Sequence, residues 1–181
     1  MPARQRPESD ARIAPANLRE LLRQRTAATP EKTFLLSEAD DRRYSYAEFE
    51  SAVLRCAAML AGQGIRKGDV VSLLLPNSAE YIIGYFACWS LGALAGPVNS
   101  LLKAEEIAYV MSNSEAKAIL VHSDFLPVIE SIRSDLPNLT AVIRFDNEVD
   151  ATNNGTAELP DTELNSDDDA IIIYTSGTTG K

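Results

Sequence analysis

Between Val70 and Val98 the chain reads VVSLLLPNSAEYIIGYFACWSLGALAGPV. Val70 to Leu75 is apolar without alternation, the pattern of a strand buried on both faces. Pro76-Asn77-Ser78 turns the chain into a helix around Tyr81 to Leu91, and Ala93 to Val98 reads as a second, short strand. From Tyr81 to Leu102 there are 22 residues without a charge, a length that could span a bilayer. Gly84, Gly92 and the Gly96-Pro97 pair interrupt that run, and Asn99-Ser100 end it. A buried helix leading into a buried strand accounts for the same residues, so no transmembrane segment is expected.

The same alternation continues on either side. Asn17 to Arg25 spells a short helix with leucines at 18, 21 and 22 on one side. Thr33 to Ser37, the polar turn Ala39-Asp40-Asp41 and Arg43 to Tyr46 form a hairpin pattern. Ser45 followed by Glu48 is a capping box. The helix it opens carries Phe49, Ala52, Val53, Cys56, Ala57 and Leu60 on one face, and Gly62 and Gly64 stop it. Lys103 to Ser112 reads as helix and Lys117 to His122 as strand. Ser123 is expected to cap a helix reaching Arg133, and Ala141 to Phe145 to form another strand. Strand and helix in alternation imply an α/β fold, a mostly parallel sheet flanked by helices with a small N-terminal hairpin. Residues 1–16 read as a flexible tail, 17–145 as the α/β unit, 146–169 as an acidic loop or linker, and 170–181 as a strand followed by a loop. No internal repeat is visible.

Composition narrows the function classes. The 181 residues are 45% hydrophobic and 24% charged, ordinary for a globular protein and unlike a disordered one. Cys56 and Cys88 are the only cysteines. Both lie in apolar segments and read as buried free thiols in a reducing, cytoplasmic compartment. A single histidine, His122, excludes a histidine-rich metal site. The net charge is −9, from 17 basic and 26 acidic residues. Nine acids and no base fall between Asp146 and Asp169, which leaves 17 against 17 elsewhere. The acidity is local, the body is neutral, and nucleic-acid binding is not expected. The acids show no regular oxygen-ligand spacing and read as solubilising.

The chain ends on a more specific pattern. After the apolar run Ala170 to Tyr174 come Thr175-Ser176-Gly177-Thr178-Thr179-Gly180-Lys181. Glycines let successive backbone N–H groups turn toward one anion, and hydroxyls add donors without bulk. A Walker A loop needs four residues between its first glycine and its Gly-Lys pair. Gly177 is separated from Gly180-Lys181 by only two, position 175 is threonine, and no Ser or Thr follows Lys181. The Walker reading fails; an ordinary Ser/Thr/Gly loop and a phosphate cradle both remain open on composition.

Ile173-Tyr174-Thr175-Ser176-Gly177-Thr178-Thr179-Gly180 resembles the phosphate-binding motif of the AMP-forming adenylate ligases. That family includes acyl-CoA synthetases, peptide-synthetase adenylation domains and luciferase. Tyr44 to Glu48, Gly68 to Ser78 and Gly92 to Asn99 resemble further segments of the family in the same order. The resemblance covers Asn17 to the end. It implies the N-terminal part of the large domain of an adenylate-forming ligase, most like a fatty acyl-CoA synthetase, with ATP, magnesium and CoA as its small-molecule partners and a carboxylic acid as substrate. It implies that Thr175, Ser176, Gly177, Thr178, Thr179 and Gly180 bind the nucleotide phosphates and that Thr175 contacts magnesium. The motif lysine, the adenine site and the catalytic lysine of the family lie beyond Lys181, so no catalytic residue is assigned and the isolated chain is expected to be inactive. Apolar surface left uncovered would favour self-association. A peptide-synthetase-like adenylation module and a non-catalytic binding module are the alternatives. Trp89, Tyr85 and Phe86 are expected to pack in the core rather than face an acyl pocket, and His122 to be structural.

Overall fold

A computed structural model describes residues 14–38, 40–146 and 159–175. Helix α1 (Leu18–Ala28) is followed by the hairpin β1 (Thr33–Ser37) and β2 (Arg42–Ser45), then α2 (Tyr46–Gly62) and β3 (Val70–Leu74). Next come α3 (Ala79–Leu91), β4 (Leu94–Pro97), α4 (Ala104–Asn113), β5 (Ala118–Val121), α5 (Leu126–Ser131) and β6 (Ala141–Arg144). The four strands β3 to β6 make one parallel sheet in the order β4-β3-β5-β6, apart from the antiparallel hairpin. The expected α/β architecture with a small N-terminal hairpin is what forms.

The helices divide between two apolar clusters. Phe49, Ala52, Val53, Cys56, Ala57 and Leu60 of α2 and Ile83, Ala87, Cys88 and Leu91 of α3 pack with Val71, Leu73 and Leu120 of the sheet. Ile107 and Met111 of α4 and Ile129 of α5 pack with Leu74, Ile119 and Val121. Alternate residues of β3 and β5 thus serve opposite faces, the geometric reason both strands are apolar on both sides apart from the buried Ser72. All six residues read as the apolar face of α2 are buried. The Ser45–Glu48 capping box is formed, with Ser45 N–H donating to Glu48 Oε2 at 2.8 Å and Glu48 N–H to Ser45 Oγ at 3.2 Å.

Helix α3 has 13 residues, about 20 Å at 1.5 Å per residue. Among the described residues no helix is long and apolar enough to cross a membrane. Gly92 ends it at φ +70°, and a Cβ there would also sit 2.6 Å from Leu164 Cδ2. Gly84 lets the helix approach the sheet, where a Cβ would meet Leu120 and Leu73 at 3.1 and 3.2 Å.

Two expectations are corrected. Ser123 does not cap a helix running to Arg133. His122 is the cap residue, its Nδ1 accepting from Asp124 N–H at 3.3 Å, and a tight turn over Ser123–Phe125 precedes the short α5. Pro127, in the first turn of α5, has no N–H for the Ser123 carbonyl, so one continuous helix cannot start there. Ala170 to Tyr174 is not a full strand either. It makes a single parallel bridge, Ala95 with Ile171. Ala95 N–H donates to the Ala170 carbonyl at 3.1 Å and Ile172 N–H to the Ala95 carbonyl at 3.0 Å. The next rung of a parallel ladder would need an N–H at position 97, and Pro97 has none.

Candidate functional site

Residues 159–175 run from the acidic stretch to the first hydroxyl of the glycine-rich loop. They bury little apolar area of their own. Side chains from elsewhere in the chain grip their backbone instead. Arg19 of α1 donates through Nη2 to the Thr162 carbonyl at 2.9 Å, and through Nη1 to the Ser90 carbonyl at 3.2 Å. Asn17 Nδ2 reaches the Leu164 carbonyl at 3.2 Å, while its Oδ1 caps α1 by accepting from Glu20 N–H at 2.9 Å. Lys67 Nζ donates to the Glu163 carbonyl at 2.9 Å and pairs with Asp168 Oδ2 at 2.6 Å. The Asp168 carboxylate also accepts from Asn165 N–H at 2.7 Å. That backbone bond, then Lys67, holds the carboxyl of Asp168 below the usual aspartate range. At least one acid of the run is therefore structural and not merely solubilising.

Trp89 joins α3 to this segment. Its indole N–H donates to the Ala170 carbonyl at 2.7 Å, and its ring lies 5.4 Å from that of Tyr85 and 5.1 Å from that of Phe86. Tyr85 and Phe86 pack against the α2–α3 core, as expected, while Trp89 is half-buried at its edge. A cleft of about 170 Å³ between the start of α1 and this segment is lined by Asn17, Trp89, Gly92, Leu164 and Asp168. Beyond the bridge, Tyr174 Oη donates to Asn113 Oδ1, at the end of α4, at 2.7 Å, and Thr175 follows with its side chain exposed.

Of the residues assigned to nucleotide binding, Thr175 alone lies within the described segment; Ser176, Gly177, Thr178, Thr179 and Gly180 lie outside the described residues. Among the described residues no group of three His, Cys, Asp or Glu side chains could hold a metal ion. Thr175 therefore brings one hard oxygen donor and no acidic partner set.

His122 lies at the end of β5, its ring 6.3 Å from that of Phe125 and its Nδ1 occupied by the Asp124 N–H. Those contacts are structural. Cys56 and Cys88 are both buried and unbridged. Burial pushes the Cys88 thiol up to about 12 and raises that of Cys56 well above its ordinary value, so neither is a nucleophile at neutral pH.

The sequence reading passed over one buried charge. Glu80, in the first turn of α3, is 1% exposed and pairs with Arg42 Nη2 at 2.6 Å. Arg42 also pairs with Asp40 and donates to Tyr44 Oη at 2.9 Å. This tie fixes the hairpin to α3. Nothing in the local pattern around Glu80 signals a partner 38 residues away.

The described chain thus passes from one edge of a parallel α/β sheet, by way of Ala170 to Thr175, toward the sequence Ser176-Gly177-Thr178-Thr179-Gly180. The sequence profile of the AMP-binding enzyme family matches residues 22–181, and the chain belongs to that family. It is 36% identical over 167 residues to the long-chain-fatty-acid–CoA ligase FadD13 of Mycobacterium tuberculosis, covering 91% of this chain and 33% of that protein. It is 31% identical over 182 residues to crotonobetaine/carnitine–CoA ligase of Salmonella paratyphi B, covering 91% and 35%. The inhibitor-bound N-terminal domain of FACL13 from Mycobacterium tuberculosis superposes with a TM-score of 0.83 at 35% identity, covering 91% of this chain and 42% of that one. The chain thus spans about a third of the length of the curated relatives it matches.

Proposed function

We propose that this chain is the N-terminal portion of an AMP-forming acyl-CoA ligase acting on a carboxylic acid of fatty type. The observation that supports it is the family match over residues 22–181 together with acyl-CoA ligase relatives across 91% of the chain. A carboxylate is a poor acyl donor because its leaving group would be an oxide. Attack of the carboxylate oxygen on the α-phosphorus of ATP forms a P–O bond, expels pyrophosphate and leaves an acyl-adenylate. The thiol of CoA then attacks the acyl carbon and AMP departs. The protein must hold the triphosphate in line and place fixed donors where charge develops.

Thr175 to Gly180 form the loop that takes the β- and γ-phosphates, through backbone N–H groups and hydroxyls. Thr175 would offer one oxygen to magnesium. That ion draws most of its ligands from phosphates and water, so a single protein hydroxyl is chemically apt. Bound there, it would neutralise phosphate charge. The ligase acts in the cytoplasm, and this chain alone is catalytically silent. Leu36, Leu101, Tyr109 and Ile173 are exposed, which favours self-association of the chain in isolation.

The test is ATP–pyrophosphate exchange by the whole enzyme that contains this chain, with a panel of fatty acids, and for Gly177→Val beside it. Branching at Cβ blocks close approach of an anion and disfavours left-handed dihedrals. Exchange per folded molecule should fall at least tenfold in the variant, with the melting temperature recorded in parallel. Near-equal exchange with a large fall in melting temperature would sink the phosphate-loop assignment.

A further inference from the structure

The carbonyl of Ala170 accepts two hydrogen bonds, from Ala95 N–H of β4 at 3.1 Å and from the Trp89 indole of α3 at 2.7 Å. Two residues later, Ile172 N–H makes the last bond to β4, because Pro97 cannot continue the ladder. Beyond it, among the described residues, the chain is held only through a side chain, the Tyr174 hydroxyl on Asn113 Oδ1 at 2.7 Å, so the backbone bonds that fix the register of the departing chain lie at or before Ile172. Upstream, Lys67 holds the same segment at the Glu163 carbonyl and at Asp168. Any carbonyl could satisfy a buried indole N–H. This one lies at the root of the path to Thr175.

We propose that Trp89, together with Lys67, is a positioning residue for ATP, fixing through Ala170 and the 163–168 strap the register at which the chain leaves β4 toward Thr175. The proposal rests on the phosphate-loop reading above. A slip of one residue displaces an extended chain by about 3.3 Å and turns its side chains to the opposite face. Misplacement of about 1 Å is enough to cost up to a hundredfold in an oriented reaction. The indole N–H and the Lys67 ammonium touch no reacting atom; they act through the backbone they hold.

The experiment uses the whole enzyme that contains this chain. Trp89→Phe keeps an aromatic ring against Tyr85 and Phe86 and deletes the N–H. In ATP–pyrophosphate exchange the KM for ATP should rise about three- to tenfold, the range expected for one lost hydrogen bond. CoA-dependent breakdown of supplied acyl-adenylate, which carries no β- or γ-phosphate, should be unchanged. Lys67→Met, on an exposed turn, should move the KM for ATP in the same direction, and it decides the matter alone if Trp89→Phe fails to fold. Wild-type KM values for ATP overturn the proposal, and so does an equal loss in both half-reactions accompanied by a lower melting temperature. An unmutated enzyme without exchange overturns the phosphate-loop reading instead.

Discussion

β4 has β3 on one side and the Ala170–Ile172 segment on the other, and the two neighbours are held by different forces. β3 pairs with β4 through four registered residues, Val70 with Leu94 through Leu73 with Pro97, and places Val71, Leu73 and Leu74 in the two cores. The other side has one bridge, with Ile171 41% and Ile173 60% exposed. There the hold comes from Arg19, Asn17, Lys67 and Trp89 reaching backbone carbonyls. A ladder buried on both faces fails only with the whole domain. A segment held by separate polar side chains can shift while the domain stays folded. Thr175 lies just beyond the second kind of attachment.

The largest effect should come from the first kind. Leu120 is fully buried in β5 against α3, so Leu120→Ala should cost about 2–5 kcal/mol in denaturant unfolding. Fluorescence of Trp89, the single tryptophan, and far-UV circular dichroism should then report one coincident transition. Gly92→Ala should cost roughly 1–3 kcal/mol through its positive φ and in addition push Leu164 away. Tryptophan emission should therefore change in the folded protein before any unfolding. An unchanged native spectrum would show that Leu164 moves without disturbing the hold on Ala170.

Acid should separate the two regions further. The pKa of Asp168 is depressed in the folded chain, so its stabilisation is complete above the unfolded value of about 3.9 and is lost as pH falls through the lower, folded value. Glu48, held down by its bond from Ser45 N–H, and Glu20, lowered to about 2 by Arg23 and Gln24, add global acid sensitivity in the same direction. Titration below pH 4 should shift Trp89 emission before circular dichroism is lost, and Asp168→Asn should remove that early step. Coincident loss in both proteins would make the strap part of the core.

The smallest effect is expected from Pro97→Ala. One added rung is worth about 0.5–1.5 kcal/mol, and the greater freedom of the unfolded chain offsets much of it. Global stability should change little, while the new amide at 97 should exchange slowly with solvent. Rapid exchange there would mean that something other than the missing N–H ends the ladder.

Much of this was legible from local pattern. The buried face of α2, the Ser45–Glu48 capping box and the apolar strands are consequences of residue spacing and hydrogen-bonding chemistry within a few positions, and they formed as read. Local pattern failed where the deciding partner was remote or a proline intervened. Ser123 looked like a cap, but Pro127 removed the bond that a continuous helix needed. Ala170 to Tyr174 looked like a strand, but its length was limited by Pro97 on its neighbour.

The order of hydrophobic and turn residues determined by itself that this chain makes a parallel α/β sheet, and the run from Ile173 to Gly180 pointed to its family, because both signals lie in contiguous residues. Tertiary structure alone decided that Glu80 meets Arg42, that Asp168 is tied to Lys67, and that Trp89 holds Ala170. Each of those contacts joins residues 38 to 101 positions apart. The energy of such a bond depends on distances that exist only once the sheet has brought both partners together.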